Sequence, residues 1–189
     1  MITNKFKSKL NKALLVAEGK LDDKSNILHD LETVSKSMNI PMTIIGGMAV
    51  AAHNYPRYTN DIDIIVKSSD AKKLADYLLS INYEDIGQNK LKHVDGAIVN
   101  ICAEGVHAGS LSFPAPQNIS GVSIADLPFL LALKSEANRY KDRADVVELI
   151  KRNNLTANYI EQQVIPLIRN QISKMRIRKL LEAAIKESN

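Results

Sequence analysis

Asp61 and Asp63 carry the strongest chemical signal in this chain. They stand two residues apart in Asp61-Ile62-Asp63-Ile64-Ile65-Val66, a run rich in β-branched residues. The period of two along a strand puts both carboxylates on one face and gives the other to Ile62, Ile64 and Val66. Two carboxylates held close together resist full ionisation unless a cation lies near them. A hard divalent ion meets that need, since Mg²⁺ is commonly bound by one or two carboxylates together with substrate phosphates. Upstream, Ile44-Ile45 runs into Gly46-Gly47, where the missing Cβ atoms let backbone approach a ligand closely. A helix beginning near 48–53 would leave free N–H groups at that turn for phosphate oxygens. Glycine turn and carboxylate pair together read as a site for nucleotide phosphates and a metal, with Mg²⁺ the expected cofactor.

The run from Gly46-Gly47-Met48-Ala49 through Arg57-Tyr58-Thr59-Asn60-Asp61-Ile62-Asp63 resembles the nucleotidyltransferase superfamily related to DNA polymerase beta. There a Gly-Gly or Gly-Ser turn precedes Asp-x-Asp or Asp-x-Glu. More narrowly, the chain resembles the AbiEii-type branch, which includes bacterial toxins and has a Gly-Gly-x-Ala turn followed by Arg-x-Thr-x-Asp-x-Asp. The resemblance resumes at Leu133-Lys134 and continues through Arg139, Asp142 and Asp145, so it covers roughly residues 27–150.

That resemblance implies transfer of a nucleoside monophosphate from a nucleoside triphosphate to an acceptor oxygen. Asp61 and Asp63 would be the catalytic metal ligands. Gly46 and Gly47 would line the triphosphate, with glycine at a position where many relatives have serine. Arg57, Thr59, Lys134 and Asp142 would belong to the nucleotide side. The third carboxylate usual on the neighbouring strand is replaced by Asn100, a neutral group that cannot act as a general base. Glu104 could supply the missing charge if the strand continues to it. The expected acceptor is RNA, particularly tRNA, or a protein hydroxyl, and a toxin of this kind would have an antitoxin partner. A catalytically degenerate nucleotide-binding module and a small-molecule transferase of the aminoglycoside-modifying kind are the alternative readings.

Several of these residues also have plain structural uses. Arg57 and Thr59 could order the turn into the Asp61 strand, and His53 could close the helix after the glycine turn. Lys134, Asn138, Asp142 and Asp145 recur at intervals of four, four and three residues, which places them on one side of a helix if that helix is continuous. A surface ladder of Lys141 with Asp145 and Arg139 with Asp142 would use the same spacing. Asp142 could equally be a helix cap, and Cys102 reads as a small buried hydrophobe.

The elements that must hold these groups follow from periodicity and turn chemistry. Residues 22–38 carry Ile27, Leu28, Leu31, Val34 and Met38 at helical spacing, and Pro41 separates them from a short apolar strand ending at Ile45. The spacing predicts a strand over 61–66 and a helix over 69–81. Strands at 90–94 and 97–103 flank Asp95-Gly96, a two-residue hairpin signal. Residues 105–121 read as a loop, 122–124 as a short strand, and Asp126 as the cap of a helix that tolerates Pro128 in its first turn. Beyond it the chain reads as helical, broken near 139–142 and 153–156. The expected class is α+β, with a mixed sheet flanked by helices over 1–124 and a helical carboxyl-terminal part over 125–189.

Composition sets outer bounds. The 189 residues are 45% hydrophobic and 24% charged, which suits a globular chain with a real core. No apolar run reaches membrane-spanning length and the amino terminus has no hydrophobic signal segment, so a cytoplasmic protein is expected. The single cysteine excludes an intrachain disulfide. Net charge is +4, and Arg169, Lys174, Arg176, Arg178 and Lys179 gather near the carboxyl end, fit either for RNA phosphates or for a solvated helix face.

Overall fold

The computed structural model describes residues 21–57, 59–104 and 122–188. Among them are six strands: β1 (Met42–Ile44), β2 (Asp61–Val66), β3 (Tyr83–Asp85), β4 (Lys90–His93), β5 (Ile98–Ala103) and β6 (Val122–Ile124). They form one sheet in the order β3-β4-β5-β2-β1-β6. β2 is parallel to β5 and antiparallel to β1, β6 is parallel to β1, and β4 pairs antiparallel with β3 and β5. The Asp95-Gly96 turn joins β4 to β5, with Gly96 at φ +94, a conformation that glycine adopts without strain. The sheet is therefore mixed and the class is α+β, as the hairpin signal and the apolar runs predict.

The helices are α1 (Leu21–Met38), α2 (Gly46–Ala52), α3 (Ser68–Ser80), α4 (Leu127–Ala137), α5 (Tyr140–Arg152) and α6 (Gln171–Ser188), with an irregular helical stretch over 157–167 between the last two. α1 and α3 cover one sheet face, packing Ile27, Leu31, Val34, Leu74 and Leu78 onto Ile62, Ile64, Val66, Val99 and Ile101. On the opposite face Ile65 and Cys102 join Ala49, Phe129, Leu130, Val146, Leu149 and Leu181, so α2, α4, α5 and α6 share a core with the sheet. Alternation along β2 then fixes the chemistry: Asp61 and Asp63 share the face of Ile65 and point toward α4 and α5. α4 begins as its sequence predicts, with the Asp126 carboxylate accepting from the Phe129 N–H at 2.9 Å and Pro128 in the first turn. No helix among the described residues is long and apolar enough to cross a membrane.

Three points differ from the sequence reading, depend on a condition it set, or lie outside the described residues. β3 is a strand that the sequence did not reveal, because only Tyr83 of its three residues is buried and Glu84 and Asp85 offer no apolar alternation. The break expected near 139–142 is present, so Lys134, Asn138, Asp142 and Asp145, which would align only on a continuous helix, do not lie along one. α4 stops at Asn138, whose φ of 51 is left-handed, and α5 restarts after Arg139 as N-cap. The predicted loop over 105–121, the amino-terminal residues 1–20 and Tyr58 lie outside the described residues.

Candidate functional site

β1 delivers Ile45 in an extended conformation, and the Ile45 N–H donates to the Asp63 carbonyl at 2.8 Å. Gly46 then enters the left-handed region at φ +66 and opens α2. A Cβ on Gly46 would lie 1.8 Å from Asp63 Oδ2, and one on Gly47 would lie 2.6 Å from Thr59 Cβ. Both glycines are thus steric requirements of the site. Thr59, packed on Gly47, donates its hydroxyl to Asp61 Oδ1 at 3.0 Å and so orients that carboxylate. Directly across the parallel register, Asn100 on β5 donates Nδ2 to Asp63 Oδ1 at 2.9 Å. Burial pushes the Asp63 carboxyl above its ordinary range, the Asn100 hydrogen bond opposes this, and the Asp61 charge adds to it.

Facing the carboxylate pair is the corner between α4 and α5. Lys134 Nζ, on a side chain 5% exposed, reaches Asp142 Oδ1 at 2.9 Å and Asp145 Oδ2 at 2.8 Å. Asp145 also accepts both arms of Arg57, at 2.8 and 3.0 Å. Asp142 accepts from Arg139 Nε at 2.7 Å, from Nη2 at 3.2 Å and from the Arg139 backbone N–H at 3.2 Å. Arg57, Asp145, Lys134, Asp142 and Arg139 therefore form a line of alternating charge that ties the turn before β2 to both helices. Burial alone would raise the Asp142 carboxyl, yet the Arg139 hydrogen bonds and the Lys134 charge hold it below its ordinary value. Removing one partner from such a network leaves a buried charge uncompensated.

Carboxylates and corner enclose a cavity of about 340 Å³ lined by Ile45, Gly46, Asp63, Asn100, Cys102, Leu133, Lys134, Ala137, Arg139 and Asp142. Of the residues singled out in the sequence, Gly46, Asp63, Asn100, Lys134 and Asp142 reach this wall. Gly47, Thr59 and Asp61 support it, and Arg57 is committed to Asp145 outside the lining. Asp145 turns inward to Lys134 and Arg57, so the expected ladder with Lys141 is replaced, whereas the Arg139–Asp142 pair and the cap by Asp142 are both present. Arg139 is a cavity residue that the sequence marked within the resumed resemblance and as half of a surface pair, without assigning it to the nucleotide side. The break at Asn138, just before it, is the signal that could have found it.

β5 ends at Ala103, as does the strand expected over 97–103, and does not continue to Glu104. Glu104 instead donates its N–H to the Val66 carbonyl at 2.9 Å, at the far end of β2. At about 3.3 Å per residue it lies roughly 13 Å along from Asn100, so it does not replace the missing carboxylate. Cys102 lines the cavity as a protonated thiol, its pKa pushed up to about 12 by burial and by Asp63. His53 ends α2 through its backbone N–H, while its Nε2 is bonded to the Ala125 carbonyl at 2.8 Å. A larger cavity of about 510 Å³ lies on the other sheet face, against α3 and the β3–β4 turn, and contains none of these residues.

Among the described residues no group of three or more His, Cys, Asp or Glu is placed to hold a metal. A cation here would rest on Asp61 and Asp63, with its other positions left to phosphate and water oxygens. That all-oxygen set fits Mg²⁺, and the cost of ionising Asp63, set first by its burial and added to by the Asp61 charge, is what a cation would relieve.

No protein-family model and no curated protein matches the sequence. Among solved structures, an antigenic nucleotidyltransferase-like protein from Paracoccidioides brasiliensis is similar with a TM-score of 0.50 and 17% identity, covering 86% of this chain and 89% of that one. The antibiotic-resistance factor ANT(2'')-Ia aligns at 12% identity and a TM-score of 0.47, over 88% of this chain and 93% of its own. At such identities similarity speaks for architecture alone, and by that architecture this chain has a nucleotidyltransferase-like fold.

Proposed function

We propose that the chain is a Mg²⁺-dependent nucleotidyltransferase that binds a nucleoside triphosphate in the 340 Å³ cavity and passes its nucleoside monophosphate to an acceptor hydroxyl. The observation that carries this reading is the approach of Asp63 to Gly46, which brings a carboxylate and a glycine turn to one point on the cavity wall. The acceptor oxygen attacks the α-phosphorus, an O–P bond forms, the bond to pyrophosphate breaks, and the acceptor proton leaves to solvent. Asp61 and Asp63 would hold the cation, which when bound would neutralise charge on the phosphates and polarise the reacting oxygens. Thr59 orients Asp61. Lys134 and Arg139 place positive charge on the opposite wall, held there by Asp142 and Asp145. Arg57 acts through Asp145 as a positioning residue. Gly46 and Gly47 keep the turn close enough for its backbone to meet phosphate.

This reading takes RNA, particularly tRNA, or a protein hydroxyl as acceptor and the cytoplasm as setting, and extends to a toxin restrained by an antitoxin. The test is incubation of the full chain with Mg²⁺, each α-labelled triphosphate and total cellular RNA or protein. Label transferred in a Mg²⁺-dependent way, and lost in Asp63→Asn, supports the reading. Absence of both transfer and Mg²⁺-dependent nucleotide binding sinks it. One specific observation favours a second reading, a nucleotide-binding module with little turnover: the Asn100 amide donates to Asp63 where relatives have a third carboxylate. Tight Mg²⁺-triphosphate binding without transfer to any acceptor would select it.

A further inference from the structure

The first turn of α5 turns its acids inward and its cations outward. Asp142 and Asp145 are buried and paired with Arg139, Lys134 and Arg57. Lys141 and Arg143 are exposed, as is 63% of the Arg139 side chain, so the outer surface of this turn carries three cations and no carboxylate. Tyr140 stands among them at 85% exposure, the most exposed of the large hydrophobic side chains among the described residues. The Arg143 guanidinium lies over the Tyr140 ring, 5.9 Å from its centroid. Between α5 and α6 a groove of about 330 Å³ opens at Tyr140, Arg143, Ala144, Val147 and Leu180. Its acids, Glu148 and Glu187, are both bonded to Lys151, at 3.2 and 3.1 Å. On the other flank of the same turn, Arg139 lines the cavity that holds Asp63.

We propose that this turn is a docking surface for single-stranded nucleic acid, whose terminal hydroxyl is the acceptor. A ring and a guanidinium plane offer sequence-tolerant stacking to unpaired bases, and cations beside them meet the phosphates, the usual combination for single strands. Tyr140 and Arg143 stack bases, Lys141 and Arg143 contact the backbone, and Arg139 leads the strand end to the cavity. The proposal rests on the transferase reading, whose acceptor class it names. The three outward cations, with no carboxylate among them, complement a polyanionic strand, and the exposed ring beside them gives its bases a stacking face.

The experiment measures binding of a short fluorescein-labelled single-stranded RNA to the full chain by anisotropy over a range of salt. In parallel, Mg²⁺-triphosphate affinity and thermal melting are followed on the same proteins. Tyr140→Ala is expected to weaken RNA binding about tenfold. Lys141→Gln with Arg143→Gln is expected to flatten the log K against log salt slope by about 1.4, the value for two phosphate contacts on a single strand. Lys72→Gln, an exposed cation on α3, should stay within about twofold of the natural protein. The proposal is overturned if the natural protein does not bind RNA, if Tyr140→Ala and the double variant bind as it does, or if Lys72→Gln loses as much. Label passed from triphosphate to a protein, at a rate that Tyr140→Ala leaves alone, also overturns it. RNA binding without nucleotide binding sinks the transferase reading and leaves the surface standing. Nucleotide binding without RNA binding does the reverse.

Discussion

Asp63 Oδ2 occupies the space that a Cβ on Gly46 would need, 1.8 Å from where that atom would stand. Gly46 is also held at φ +66, so two independent constraints exclude a side chain there. Gly46→Ala must therefore displace the Asp63 carboxylate or the turn. The expected loss of stability is roughly 1–3 kcal/mol, and Mg²⁺-dependent nucleotide binding should fall with it. Thermal melting and nucleotide titration check this. An alanine variant that melts and binds like the natural protein would show that the turn and the carboxylate are not in contact.

Asp63 gives a pH prediction with a definite sign. Burial raises its pKa in the folded chain, so without metal the folded state binds the proton more tightly than the unfolded state does. Metal-free stability from this group is greatest below the ordinary carboxylate value of 3.8 and declines as pH rises through the raised one. Mg²⁺ competes with that proton, so its stabilising effect should grow with pH over the same window. Asp63→Asn should abolish the Mg²⁺ effect while melting no lower than the metal-free natural protein. Melting curves with and without Mg²⁺, from acid to neutral pH, decide the matter.

The carboxylate pair was legible because it depends on local rules, period-two alternation in β2 and a glycine pair before it, whereas the hairpin signal set β5 only beside β4 and not beside β2. The charged corner was not. Lys134, Asn138, Asp142 and Asp145 satisfy helical spacing, yet Asn138 takes a left-handed conformation that folds α5 back on α4. Asp142 and Asp145 then meet Lys134 across a bend rather than along a face, and Arg57 joins them from 88 residues away. Contacts of that range leave no periodic trace. β3 escaped for another reason: three residues with one buried side chain are too short to show any period.

Lys134 is buried against two carboxylates, and this changes what its replacement tests. Lys134→Met keeps the stem but leaves Asp142 and Asp145 without their shared cation. Breaking a buried pair by removing one partner typically loses about 3–5 kcal/mol, so the variant should melt well below the natural protein. Asp142 now sits below its ordinary pKa, so its stabilising share is present above the ordinary carboxylate value of 3.8 and lost as pH falls through the lowered one. The gap between variant and natural protein should thus narrow in acid. If Lys134 also meets phosphate, triphosphate affinity in the surviving folded fraction falls more than monophosphate affinity; equal losses would leave it a structural lysine.

Asn100 is the position where charge can be added on purpose. Its amide donates to Asp63 Oδ1 at 2.9 Å in direct register across β2 and β5. Asn100→Asp would replace that donor with a second acceptor, placing a third carboxylate beside Asp61 and Asp63. Without metal the variant should be less stable than the natural protein, because a hydrogen bond to a buried carboxylate is exchanged for repulsion. With Mg²⁺ the same carboxylate becomes a further oxygen ligand, so the lost stability should return and nucleotide transfer should rise if chemistry is limiting. Both arms are needed, since destabilisation alone would follow from any charge placed in a closed strand pair. A loss that Mg²⁺ does not rescue would show that no cation rests on Asp61 and Asp63 within reach of position 100.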